Sequence, residues 1–144
     1  MMVLRCSSAV PSMHELVAAA EKLGAVLLLS PKAVKTEKEL EFAFYLAKQA
    51  FAAKANVSGK RTNEAMLFLS CETNFSSAVR KIGAAHPDDF LLVSEEKVPS
   101  AKLKKALKLT RAETIKLTEW GNKRGAYFEG ELAIEKMATA RIMN

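Results

Sequence analysis

Cysteine, glycine, proline and histidine are all scarce in this 144-residue sequence, and most of these scarcities remove a class of function. The two cysteines, Cys6 and Cys71, stand far apart with no CxxC pair, which argues against a disulfide framework or a zinc knuckle and leaves both as small core or surface residues. The six glycines are scattered, and none falls in a GxGxxG or GxxxxGKS/T pattern, so the backbone loops that cradle phosphates in the commonest nucleotide sites are missing. His14 and His86 show neither HExxH nor His-plus-Cys spacing, which gives no metal site. No GxSxG surrounds a serine, and Ser70 and Cys71 carry no local nucleophile signature. The carboxylate pairs Asp88-Asp89 and Glu95-Glu96 fall in loop or strand-end settings, where a solvated surface explains them. The expectation is a protein that is not an enzyme and needs no cofactor or metal. The alternative is a small enzyme of unrecognised type acting on a nucleotide or acyl substrate.

Long apolar runs are missing too. Ala25 to Leu29 and Ala65 to Leu69 are far shorter than the roughly 20 residues that cross a bilayer, so no membrane association is expected. The opening Met-Met-Val-Leu-Arg-Cys lacks the extended apolar region and small-residue cleavage site of a secretory signal, which predicts a cytoplasmic location. What is present is an apolar fraction of 49%, sufficient for one hydrophobic core in one domain covering residues 1–144. A formal charge of +6 and a pI near 9.4 tilt the surface toward polyanions, through long-range field and counterion release.

Periodicity places the elements. Met2 to Val10 is short and β-prone, and Pro11-Ser12 punctuates it before a helical pattern of Leu16, Val17, Ala20 and Leu23 that Gly24 stops. Ala25 to Leu29 is a continuous apolar run closed by Ser30-Pro31, which predicts a strand buried on both faces in mid-sheet. Thr36 with Glu39 forms a capping box, and Leu40, Ala43, Phe44, Ala47 and Phe51 trace one face of the helix that follows and ends near Lys54. Asn56 to Thr62 is a polar, basic loop, and periodicity does not decide whether the run Met66 to Leu69 is strand or buried helix, though Glu64, Ala65, Met66 and Leu67 are good helix formers. Phe75, Val79 and Ile82, with Ala78 beside them and Gly83 as the stop, predict a short helix. Phe90 to Val93 is a strand candidate, Ser100 to Leu109 a lysine-rich amphipathic segment, Thr114 to Leu117 a short strand, and about Tyr127 to Arg141 a closing helix. Alternation of strands and helices predicts an α/β fold: a single layered domain with one small mixed sheet and helices packed on it.

Basic residues recur at Lys60-Arg61, at Arg80-Lys81, and at Lys102, Lys104, Lys105 and Lys108. Any of these sets suits a phosphate-facing surface. For the last group a solvated helix face is the simpler explanation, because lysine dominates it and no aromatic is interleaved to stack bases.

One stretch carries a resemblance. Asn56-Val57-Ser58, then Glu64-Ala65-Met66-Leu67-Phe68-Leu69-Ser70, then Phe75-Ser76-Ser77-Ala78-Val79-Arg80-Lys81-Ile82-Gly83-Ala84 is similar to the small accessory subunit of the KEOPS complex, the PRPK-binding protein family. That family has an Asn-Ile-Ser-like turn, a helix of the form E-I-L-L-x-x-S-G, then x-R-Q-I and a helix ending K-x-G-I or K-x-G-A. The likeness extends more loosely to Phe90–Val93 and to Glu135-Lys136-Met137-Ala138. It implies a regulatory subunit that binds the complex's atypical kinase subunit directly and the other KEOPS subunits indirectly. It also implies a grip on the 3′ CCA end of tRNA, in support of threonylcarbamoyl-adenosine formation at position 37, with the transfer chemistry belonging to another subunit. The chain departs from the family pattern at Cys71, in place of glycine, and at Thr73, in place of arginine, so a strong phosphate donor is lost.

The tRNA-binding residues implied are Lys60, Arg61, Ser70, Thr73, Asn74, Arg80 and Lys81, although a helix-to-helix turn with Thr73 or Asn74 as N-cap accounts for Ser70 to Asn74 equally well. In the closing helix Gly130, Ala133, Met137 and Ala140 form a stripe with Ile134 and Ala138 on its shoulder. Periodicity alone favours packing of this stripe on the chain's own sheet. The resemblance makes it the kinase interface instead. A general nucleic-acid-binding protein, indifferent to tRNA structure, is a third reading.

Overall fold

The computed structural model describes residues 1–24, 26–34, 36–115 and 134–139. The chain is α/β, in the order β1 (Met2–Ser8), α1 (Met13–Leu23), β2 (Val26–Leu29), α2 (Glu37–Ala52), α3 (Arg61–Ser70), α4 (Phe75–Ile82), β3 (Phe90–Ser94), α5 (Ser100–Leu107) and β4 (Leu109–Thr114), with residues 134–139 helical. Contacts divide it into two compact units, Met1–Ala33 with Gly83–Ile115, and Val34–Ile82 with residues 134–139 among those that follow.

The first unit is a four-stranded sheet in the order β2-β3-β1-β4 with α1 and α5 on one face. The expected mixed sheet is corrected: β1 pairs antiparallel with β3 and with β4, and β2 pairs antiparallel with β3. The β1-α1-β2 succession leaves β1 and β2 parallel to each other, but β3 inserts between them, so no neighbouring pair is parallel. β2 is buried on both faces, as its apolar run predicts, but it lies at the end of the strand order and not in mid-sheet. Its outer side is partly covered by the segment that follows α4, where Leu29 bridges Gly83 and Ala84 N–H donates to the Leu28 carbonyl at 3.3 Å. Apolarity on both sides reports burial, and burial does not reveal which strand is the neighbour.

Register aligns the core. Leu4 and Leu28 both lie opposite Leu92, and Cys6 lies opposite Phe90, so alternate residues of three strands build one apolar face against Leu16, Ala20, Leu103 and Leu107 of the two helices. Burial pushes the Cys6 thiol up to about 11, with a smaller opposing pull from Arg111, which suits an inert core residue. At the exposed end of the same sheet, Arg5 Nε and Nη2 donate to the two carboxylate oxygens of Asp89 at 2.9 and 2.8 Å, with Arg111 3.9 Å away. These hydrogen bonds hold the Asp89 carboxyl below its ordinary value. Both partners are more than one-third exposed, so the pair contributes at most about 1 kcal/mol. The strand expected at Thr114 to Leu117 begins earlier, as β4, and Lys116 and Leu117 lie outside the described residues. Most of β4 is solvent-exposed and its Thr-Arg-Ala-Glu-Thr run has no apolar alternation, which is why its pattern does not mark it as a strand.

The second unit is helical among its described residues. Thr36 caps α2 by accepting the Glu39 N–H at 3.4 Å, and Leu40, Ala43, Phe44 and Ala47 form its buried face, as expected, while Phe51, expected on the same face, is only half-buried. The ambiguous run Met66 to Leu69 is helical, within α3. Ala65, Met66, Leu67 and Phe68 are consecutive and all buried, so α3 is enclosed over most of its circumference and its sequence carries no amphipathic period. α2 packs on α3, and α3 on α4. Among the described residues no helix is long and apolar enough to cross a membrane, and no group of His, Cys, Asp and Glu could hold a metal ion.

Candidate functional site

The two ends of α3 are built by different devices. At its start the loop from Ala53 is shaped by its own polar groups. The Asn56 side-chain amide donates to the Ser58 carbonyl at 2.9 Å, and Ser58 Oγ accepts the Lys60 N–H at 3.4 Å. Glu64, whose side chain is fully buried, accepts the Val57 N–H at 2.8 Å on Oε2 and 3.3 Å on Oε1. The Asn-Val-Ser turn is thus tied to the first turn of α3 through a carboxyl group taken out of water, a position that must be hydrogen-bonded to be tolerated. Lys60 and Arg61 project into solvent from this end.

At its other end α3 closes with a Schellman motif. Cys71 N–H donates to the Phe68 carbonyl at 3.1 Å and Glu72 N–H to the Leu67 carbonyl at 3.1 Å, while Cys71 adopts φ 60° and ψ 28°. This left-handed conformation favours glycine because a side chain crowds the adjacent carbonyl. Cys71→Gly is therefore expected to raise stability by about 0.5 kcal/mol, the relief of strain exceeding glycine's greater freedom when unfolded. A urea midpoint that moves up for Cys71→Gly and not for Cys71→Ala checks this. A lower midpoint for the glycine variant would show that thiol packing outweighs backbone strain.

Four further bonds fix the turn. Ser70, 2% exposed, donates from Oγ to the Leu67 carbonyl at 3.1 Å and accepts the Glu72 N–H at 3.3 Å. Lys81 Nζ donates to the Ser70 carbonyl at 2.8 Å and lies 4.0 Å from Glu72, so a cation at the end of α4 neutralises the carbonyl end of α3. Asn74 Oδ1 accepts the Ser77 N–H at 3.2 Å, which makes Asn74, not Thr73, the N-cap of α4. Burial pushes the Cys71 thiol above its ordinary value against the pull of Lys81 and Lys136, so the thiolate that nucleophilic chemistry requires is disfavoured.

The seven residues singled out for tRNA do not form one cluster. α3 is about 15 Å long, which separates Lys60 and Arg61 from the other five. Of those five, Ser70 is enclosed and Lys81 is engaged with the α3 terminus, while Thr73 and Arg80 are exposed. Two contributors were not anticipated. Phe75, read from periodicity as core-facing, is 37% exposed with Val79 at 38%, because Ala78 and Ile82 take the buried face of α4. Lys136, in the helical residues 134–139, lies near enough to Cys71 for its charge to act there. Their signals were present in an apolar helix face too wide to bury completely and in a lysine on the polar side of the closing helix. An accessible aromatic at the start of α4, the exposed Arg80 in its last turn, and a polar turn make a surface on which a single-stranded, negatively charged chain can both stack and pair its charge.

Of the closing-helix residues proposed as an interface, Gly130, Ala133 and Ala140 lie outside the described residues. Met137 is 1% exposed and so belongs to the interior of the chain, whereas Ala138 is exposed. Ile134 is half-buried and lines an open groove of about 300 Å³ with Lys38, Glu41, Phe42 and Tyr45. The Phe42 and Tyr45 rings stack with centroids 6.1 Å apart, and Tyr45 is 55% exposed.

No protein-family model matches the chain, and no curated protein does.

Proposed function

We propose that this protein is a non-catalytic regulatory subunit of a KEOPS-type tRNA-modifying complex, acting in the cytoplasm, which holds the 3′ CCA end of tRNA at the α3–α4 turn and docks on the atypical kinase subunit. The observation that carries the reading is the left-handed Cys71, φ 60°, at the position where the resembled family has glycine. A glycine there answers a backbone requirement that this chain shares, although it meets it with another residue. The bond between Val57 N–H and Glu64 supports the same alignment, since it gives a physical reason for an Asn-x-Ser turn to precede a helix with glutamate near its start. With Thr73 in the family's arginine position, RNA contact falls to Phe75, Asn74, Arg80 and Lys136. Lys60 and Arg61 reach only a more distant part of a large ligand. The kinase surface is the groove of Ile134, Phe42 and Tyr45, where an exposed tyrosine stacks on a half-buried phenylalanine, residue types that anchor protein interfaces.

Two arms of one experiment test this. Intact tRNA is expected to bind more tightly than tRNA trimmed of its CCA, and equal affinity in filter binding would remove the CCA assignment. The atypical kinase is expected to co-purify with the wild-type chain but not with Tyr45→Ala/Ile134→Asp. Undiminished capture by that variant would place the interface elsewhere.

A further inference from the structure

We propose that the outward half of α5, with the lysines flanking it, is a second nucleic-acid contact that takes the phosphate backbone of duplex RNA through charge alone. Lys102, Lys104 and Lys105 lie on α5, Lys97 precedes it and Lys108 follows it, and all five are exposed. No acidic residue occurs between Lys97 and Ala112, and among the described residues none of the five lysines lies within ion-pair distance of a carboxylate. Like charges three and four residues apart, as in Lys102 with Lys105 and Lys104 with Lys108, oppose helix formation. Helix-dipole stabilisation accounts for the lysines of the last turn but not for Lys102, which stands in the first turn where a cation is unfavourable. The cluster therefore works against the fold locally, and its sense lies in an anionic ligand.

The nature of that ligand follows from what surrounds the lysines. Leu103 and Leu107 are 1% and 0% exposed, so α5 has no free apolar face to enter a lipid surface. α5 and the residues flanking it from Leu91 to Ile115 carry no aromatic side chain, so this segment itself offers no ring on which an unpaired base could stack. Flexible ammonium groups fanned over one helix suit a regular row of phosphates, which positions a nucleic acid without reading its sequence.

This proposal rests on the reading of the protein as an RNA-binding subunit, and the choice of probes keeps the two apart. The full chain is compared with Lys102→Gln/Lys104→Gln/Lys105→Gln and with a charge-matched control, Lys32→Gln/Lys48→Gln/Lys54→Gln. Circular dichroism and urea midpoints establish that each is folded. The probe is a blunt RNA duplex with no single-stranded end. The α5 variant is expected to bind it about tenfold more weakly, and to lower the slope of log affinity against log salt by about 2 to 3, since each phosphate contact contributes about 0.9. The control is expected to change neither, and intact tRNA is expected to keep its preference over CCA-trimmed tRNA in the α5 variant. An unchanged slope for the α5 variant, an equal effect in the control, or lysine-dependent binding to phosphatidylserine vesicles without duplex binding would each overturn the proposal. Loss of CCA preference in the wild type with lysine-dependent duplex binding intact would overturn the α3–α4 assignment alone.

Discussion

Glu64→Ala is expected to lower the folding stability by about 3 kcal/mol, the largest effect of any single change at the α2–α3 loop. The side chain is fully buried and both carboxyl oxygens accept from the Val57 N–H, so truncation leaves a main-chain donor without its acceptor and opens a cavity at the start of α3. Glu64→Gln retains the volume and one carbonyl acceptor, and is expected to lose only about 1 kcal/mol. Urea unfolding followed by circular dichroism distinguishes them: the midpoint falls in the order wild type, Gln, Ala, with the slope unchanged if the loss is native-state stability. A limited-proteolysis experiment adds location. In the alanine variant, cleavage should appear first between Ala53 and Lys60, where the turn has lost its tie. A midpoint for Glu64→Ala equal to that of the wild type would show that the Val57 bond holds nothing.

Glu64 also illustrates what was readable in the sequence and what was not. A glutamate six residues after Ser58 looks like a polar helix start. Only the fold reveals that it faces inward, because an acid is buried when partners wait for it, and one of them here is main chain. The helices with one clear apolar stripe, α1 and α2, were legible from period and caps together, since Thr36 and Gly24 mark α2's start and α1's end independently of the stripe. α3 was not, because near-complete burial erases amphipathic contrast. β4 was not, because an exposed edge strand places almost no demand on side-chain polarity. Strand order was out of reach for a different reason: β3 enters between β1 and β2 through pairing between residues more than 60 apart in sequence, and no local pattern encodes such a choice. At the candidate site, residue types were legible and their employment was not. Ser70 and Asn74 look like free polar groups in sequence, yet each spends an oxygen on the turn itself.

Phe75 is the residue through which that site becomes testable. The residue is 37% exposed at the first position of α4, beside the capping Asn74, and the buried positions of the helix are already taken by Ala78 and Ile82. An accessible phenyl ring at this place contributes little to folding, so Phe75→Ala is expected to shift stability by under about 1 kcal/mol. Its effect on RNA is expected to be larger, because stacking of a base on an aromatic ring is worth about 1 to 3 kcal/mol. Tenfold weaker binding of intact tRNA corresponds to about 1.4 kcal/mol and is the expected outcome. Phe75→Leu should lose nearly as much, since it keeps the apolar surface without the ring, and Phe75→Trp should restore or exceed the wild-type affinity. Charge gives an independent control. Phe75→Ala should leave the salt dependence unchanged, whereas Arg80→Gln should reduce its slope by about 1. If Phe75→Leu binds like the wild type, the ring acts by bulk and not by stacking. If Phe75→Ala binds like the wild type, the face of α4 that carries Phe75 and Val79 does not meet RNA, and the proposed CCA contact at the α3–α4 turn fails.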